Sequence, residues 1–136
     1  MIKKICLASI VAFSSASFAD VAVIVHPSND SNLDAKSVAR IFTGKMKSFP
    51  NGNQIIPVNL AASNEETKEF NSKALNRSES QLKAYWSKLV FTGKGTPPQE
   101  VSNADEAIKL VASNPNTISF VDASKVSGDV KVVLKL

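Results

Sequence analysis

Cysteine is almost absent from this 136-residue chain: the one copy, Cys6, lies near the N-terminus. A lone cysteine excludes an intramolecular disulfide framework and any zinc site built from several thiolates. Histidine is equally scarce, with His26 alone. A catalytic imidazole needs a positioned nucleophile or carboxylate, and no Gly-x-Ser-x-Gly elbow is present to supply one. The five glycines form neither a P-loop nor a dinucleotide fingerprint, and Gly93-Lys94-Gly95 reads as a turn. Five Gly and six Pro also exclude a collagen-like or low-complexity chain. The chain is therefore not expected to be an enzyme, and no cofactor or metal ion is expected. What is present is an apolar content of 43% with 21% charge, which suits one globular domain.

The N-terminus reads as a removable leader. Lys3 and Lys4 precede an apolar stretch from Ile5 to Phe13, and small residues run from Ser14 to Ala19. This is the layout of a secretory signal peptide cut after Ala19. The apolar part is shorter than the roughly 20 residues a membrane-spanning helix needs. Residues 1–19 are expected to be the leader and 20–136 the folded domain, placing it in the periplasm. Without Lys3 and Lys4, 14 basic and 12 acidic residues remain, a formal charge of +2. That charge gives no argument for nucleic acid as a partner. The domain then has no cysteine, which fits an exported protein.

Strands and helices alternate along residues 20–136. Val21–Val25 is a continuous β-branched run, as in a strand buried on both faces. Leu33–Phe42 has a helical period with Val38, Ile41 and Phe42 on one face, and Gly44 is placed to end it. Ile55–Leu60 is a second strand, with Pro57 where no ladder donor is needed. Ser63–Leu75 and Ser78–Val90 read as helices. Ser63 with Glu66, and Ser78 with Gln81, have capping-box spacing. Leu82, Tyr85, Trp86, Leu89 and Val90 share one face, which predicts core packing for Trp86. Gly93–Pro98 reads as a loop. Asn103–Ser113 is a helix with Asn103 and Glu106 as its box, and Thr117–Val121 is a strand. Val130–Leu136 alternates, with Val130, Val132, Leu134 and Leu136 on one face. The class is α/β.

Two segments echo each other: Ile41-Phe42-Thr43-Gly44-Lys45 and Val90-Phe91-Thr92-Gly93-Lys94. The physical account is two helix ends, each stopped by Gly, with Lys near the negative end of the dipole. Met46 and Phe49, just beyond the first, are candidates for an exposed patch, and Phe49 is more simply a cover for the core edge. Helix starts at Ser31-Asn32, Ser63-Asn64, Ser78 and Ser102-Asn103 offer free N–H groups of the kind that bind oxyanions, although ordinary capping explains most of them.

Taken together, several segments resemble the phosphate-family periplasmic substrate-binding proteins of ABC transporters. Val25-His26-Pro27-Ser28-Asn29 is similar to their strand followed by an Asn-Pro-type loop. Ile41-Phe42-Thr43-Gly44-Lys45 resembles their Ile-Phe-x-Gly-Lys helix end. Phe49-Pro50-Asn51-Gly52 stands where the family has Trp, Asn or Asp, and Gly. Ile55-Ile56-Pro57-Val58-Asn59 resembles the next strand, Phe70 the Phe of the next helix, and Ile118-Ser119-Phe120-Val121 their Ile-Gly-Tyr-Val strand. The resemblance covers nearly all of residues 21–125. It implies a single-lobe version of the periplasmic-binding-protein fold, with a central mixed sheet flanked by helices. It further implies a small oxyanion held at a helix N-terminus by Ser63, Asn64 and Thr67.

The departures bear on the ligand. Where the phosphate binders carry an Arg after the second strand, this sequence has Leu60. Where they carry Ser-Gly-Thr, it has Asn64-Glu65-Glu66. Two carboxylates at such a site repel phosphate and already complement the dipole. The chain has about half the length of a two-lobed binder, so the resemblance implies that a closed cleft needs a second lobe, as a homodimer would supply. The primary expectation is a periplasmic solute-binding protein that takes phosphate or another oxyanion and serves an inner-membrane permease. The alternative is an interaction or sensory module that reuses one lobe, meets a membrane receptor and binds no phosphate.

Overall fold

The computed structural model describes residues 20–136. The leader expected over residues 1–19 lies outside the described residues. Five strands and four α-helices alternate: β1 (Val21–Val25), α1 (Ala35–Phe42), β2 (Ile56–Leu60), α2 (Glu65–Phe70), α3 (Glu79–Phe91), β3 (Gln99–Val101), α4 (Ala104–Ser113), β4 (Thr117–Asp122) and β5 (Lys131–Lys135). They form one sheet in the order β3-β2-β4-β1-β5. The sheet is mixed: β1 runs antiparallel to β4 and β5, while β2 runs parallel to β3 and β4. This is the expected α/β class.

The continuous apolar run of β1 is explained by its place. It lies between β4 and β5, and all five of its residues are buried. From α1 the core receives Val38, Ile41 and Phe42, the face its period marks. Phe42, Phe70 and Phe120 form the aromatic centre. The Phe70 and Phe120 rings stack at 4.0 Å between centroids, and Phe42 meets Phe70 edge-on at 4.8 Å. Such geometries add to the large apolar area that each ring removes from water. Phe49 is buried and covers the core edge, and Met46 packs partly against it. The candidate patch at Met46 and Phe49 is therefore not an exposed surface.

Local capping follows the sequence in part. Ser78 and Gln81 form the full reciprocal box at the start of α3. At α4 the Asn103 side chain accepts from the Glu106 N–H, but the Glu106 carboxylate returns to the N–H of Ser102. The box expected of Ser63 and Glu66 does not form. Asn64 is the N-cap, and the Glu66 carboxylate reaches across to accept the N–H of Asp122 at 2.8 Å. A long-range partner thus outcompetes the local one. The first helix starts at Ala35, two residues later than its period suggested, because Asp34 caps the N–H of Ser37 at 2.7 Å.

The helix expected over Ser63–Leu75 is interrupted. α2 ends at Phe70, and Asn71–Leu75 continue as a π-helical turn that stops at Asn76 in the left-handed region. The short strand β3 had no counterpart in the sequence reading. It pairs with β2 only at Val58–Leu60, so Pro57 lies where β2 has β4 as its single neighbour. The alternation of the last strand is also broken. A register shift opposite Val23 and Ile24 leaves Val132, Val133 and Leu134 all half-buried. Among the described residues, no helix is long and apolar enough to cross a membrane.

The largest departure concerns α3. Its apolar face was expected in the core, yet α3 has no buried residue. Trp86 and Tyr85 are half-buried, Val90 is 51% exposed and Phe91 is 92% exposed. The helical period is correct, but among the described residues no element covers the far half of that face.

Candidate functional site

In an open sheet, ligands lie beyond the carboxyl ends of parallel strands. Here β2 and β4 are parallel, and Leu60 and Asp122 mark that end. The segment Ala61–Asn64 leads from β2 into α2, and it carries two of the three residues singled out from the sequence.

The structure places those three residues differently. Ser63 is exposed. The Asn64 side-chain amide donates to the carbonyls of Ala61 and Ser102, both at 3.0 Å, and so ties this loop to the start of α4. The Thr67 hydroxyl is buried and donates to the carbonyls of Ala61 at 2.8 Å and Leu60 at 3.2 Å. Asn64 and Thr67 therefore spend their polar groups on holding the end of β2. The first turn of α2 carries Glu65 and Glu66, whose charges complement the helix dipole. Glu65 also pairs with Lys68 at 3.4 Å, with both side chains mostly exposed.

Two cavities flank this loop. The first, of about 500 Å³, lies between α2, the π-helical turn and the start of α3. Lys68 and Arg77 supply its positive charge, and Asn71, Ser72, Asn76 and Ser78 its polar groups. Arg77 makes no ion pair among the described residues. Its guanidinium lies over the Tyr85 ring, 4.7 Å from the centroid, a cation–π contact that fixes it without neutralising it. Tyr85 is held in turn by its hydroxyl, which donates to the Thr43 carbonyl at 2.6 Å. One carboxylate, Glu79, also lines this cavity.

The second cavity is a groove of about 950 Å³ between α3 and the β2–β3 side of the sheet. Its walls include Leu60, Leu82, Trp86, Val90 and Phe91, with Pro97 and Pro98 on the strand side. Thr67 also lines it, whereas Ser63 and Asn64 line neither cavity. A third cavity, of about 400 Å³, opens at the start of α1 beside Ser31 and Lys131. The buried Ser31 hydroxyl has no partner there, but Lys131 already donates to the Asn29 carbonyl and the Asp34 carboxylate also lines the cavity.

The sequence reading missed Lys68 and Arg77. Their joint signal is tertiary, because the π-helical turn separates them along the chain and brings them to one cavity. His26 lies at the end of β1, where its Nδ1 accepts the N–H of Ser28 within a turn. Among the described residues, no group of three or more His, Cys, Asp or Glu is placed to hold a metal ion.

No family model matches the chain, and no curated protein matches it in sequence. Solved structures do match its fold. An ABC-type phosphate transport receptor from Vibrio cholerae superposes with a TM-score of 0.67 at 19% identity, over 85% of this chain and 46% of that one. A phosphate ABC transporter substrate-binding protein with bound phosphate, from Clostridium perfringens, gives 0.64 at 20% identity over 85% and 45%. PstS from Borrelia burgdorferi gives 0.62 at 14% identity over 85% and 47%. The first two are phosphate-transport proteins by name, and the chain spans a little under half the length of all three. The five-stranded mixed sheet and its flanking helices are thus the fold of one lobe of a phosphate-transport substrate-binding protein.

Proposed function

We propose that this chain is a periplasmic solute-binding component of the phosphate-transport type that holds a small oxyanion and serves an inner-membrane permease. The observation that carries the reading is the polar cavity beside the β2–α2 loop, which is lined by the exposed Lys68 and by Arg77, without an ion pair among the described residues. Guanidinium and ammonium groups are the side chains best suited to a phosphate-like oxyanion. Ser72 and Ser78 add hydroxyls, and Ser63 adjoins the cavity-lining Ala62 in the chain. In this reading Arg77 takes the role that the chain lacks at Leu60. Asn64 and Thr67 support the loop, while Glu65 and Glu66 exclude the anion from the α2 terminus.

Calorimetric titration with inorganic phosphate tests the reading. Binding in the micromolar to submillimolar range, weakened at least tenfold by Arg77→Ala and less by Lys68→Ala, is the expected outcome. No heat up to about 10 mM phosphate, a ceiling of roughly −3 kcal/mol in binding free energy, would remove the oxyanion function.

A second reading, an interaction module that binds no phosphate, draws on the exposed Val90 and Phe91. Exposed large apolar side chains grouped at one helix end mark surfaces that meet a partner. Sedimentation of the same sample distinguishes a homodimer formed through that face from a monomer awaiting another protein.

A further inference from the structure

The two cavities adjoin as the two ends of a cleft. Ala62, Asn71 and Glu79 line both the cationic cavity and the apolar groove. A bare phosphate ion has no use for the groove, whose volume is that of pockets that hold whole organic ligands.

The repeated Phe-Thr-Gly-Lys segment shows that this apolar end has no local cause. Both copies end a helix in the same way. Gly44 and Gly93 have φ of 77° and 69°. Thr43 and Thr92 donate their hydroxyls four residues back, to Ala39 and Lys88. The N–H groups of Lys45 and Lys94 return to Arg40 and Leu89, both at 2.8 Å. With local geometry this similar, Phe42 is 1% exposed in the aromatic core and Phe91 is 92% exposed at the groove. The difference is that nothing among the described residues covers Phe91.

We propose that the cleft binds a phosphate monoester with an apolar substituent, its phosphoryl group at Arg77 and Lys68 and its chain along Leu82, Trp86 and Phe91. The proposal rests on the oxyanion reading above and names the ligand class for that site. Charge sets the orientation: among the described residues, Lys68 and Arg77 line the polar end against Glu79 alone, whereas the groove's one cation, Lys83, stands with Glu79 and Glu100 beside its apolar walls. Glu79, at the junction, disfavours a dianion deeper in the groove and so keeps the phosphoryl group at the polar end.

The test compares hexyl phosphate with inorganic phosphate by calorimetry on the purified protein. One fully buried methylene corresponds to about fourfold in affinity, so a six-carbon chain only partly covered by an open groove still gives at least about tenfold. Phe91→Ser and Val90→Ser, at exposed positions, should remove most of that advantage and leave inorganic phosphate unchanged. Arg77→Ala should weaken both ligands alike. Equal affinity for the two ligands would overturn the proposal while leaving the oxyanion reading intact. Binding of neither would remove both. Flotation with phosphatidylcholine vesicles, with and without phosphatidic acid, separates the sources of the ester. Capture that depends on phosphatidic acid and is lost in Phe91→Ser identifies a lipid headgroup. Hexyl phosphate binding without capture identifies a soluble ester. Capture by phosphatidylcholine alone would refute the role given to the phosphoryl group.

Discussion

Replacing Gly44 by Ala should destabilise the protein by about 2 kcal/mol, and replacing Gly93 by Ala by only about 1 kcal/mol. Both glycines end a helix in the left-handed region, with φ of 77° and 69°, where a Cβ costs about 1 kcal/mol or slightly more. Their surroundings differ. A Cβ on Gly44 would stand 3.1 Å from the Trp86 Cη2, tighter than ordinary contact, whereas a Cβ on Gly93 would meet nothing within 4 Å. The indole would have to retreat by a few tenths of an ångström. It is not free to do so without disturbing Tyr85, whose ring meets it edge-on at 5.2 Å and whose hydroxyl is bonded to Thr43. Overpacking costs about 1–3 kcal/mol, and the half-exposed ring puts this case near about 1. Removing the indole should then make the two glycine substitutions equal. The assay is denaturant melting of both variants, with and without Trp86→Ala. It is followed by circular dichroism because Trp86 is the sole tryptophan. Equal costs in the presence of Trp86, or an excess at Gly44 that survives its removal, would refute the contact. The result matters for the site, since Trp86 lines the groove.

Three further outcomes follow from the packing and hydrogen bonding of the chain. Thr67→Val should cost about 1 kcal/mol by taking a donor from the buried Leu60 carbonyl, while the Ala61 carbonyl keeps its bonds from Asn64, and should leave phosphate affinity unchanged; a tenfold loss in calorimetry without a shift in melting would make Thr67 a ligand instead. Phe70→Ala should cost about 3–5 kcal/mol in denaturant melts, because its ring is fully buried between Phe42 and Phe120. The N–H and hydroxyl of Ser124 hold the Asp122 carboxyl below its ordinary value of 3.8. Its contribution is therefore present above that value and is lost as pH falls below it. Thermal melts between about pH 4 and about pH 2 should show a shallower acid decline in Asp122→Asn than in the parent protein.

The sequence determined what depends on neighbours along the chain. The uniform apolar run of β1, the buried face of α1, the Ser78–Gln81 box and both Gly-ended helices are local patterns, and each formed as read. Tertiary structure decided what depends on partners distant in sequence. Glu66 abandoned its cap for the N–H of Asp122, 56 residues away. The three residues of β3 became a strand only because β2 offered an open edge. A helical period says which side of α3 is apolar, but not whether anything lies against it, so Trp86 and Val90 were expected in a core that does not extend that far. The same limit hid Arg77 and Lys68, which come to line one cavity through the π-helical turn between them. Local hydrogen bonding and side-chain period are encoded residue by residue, whereas coverage and convergence are properties of the whole packed chain.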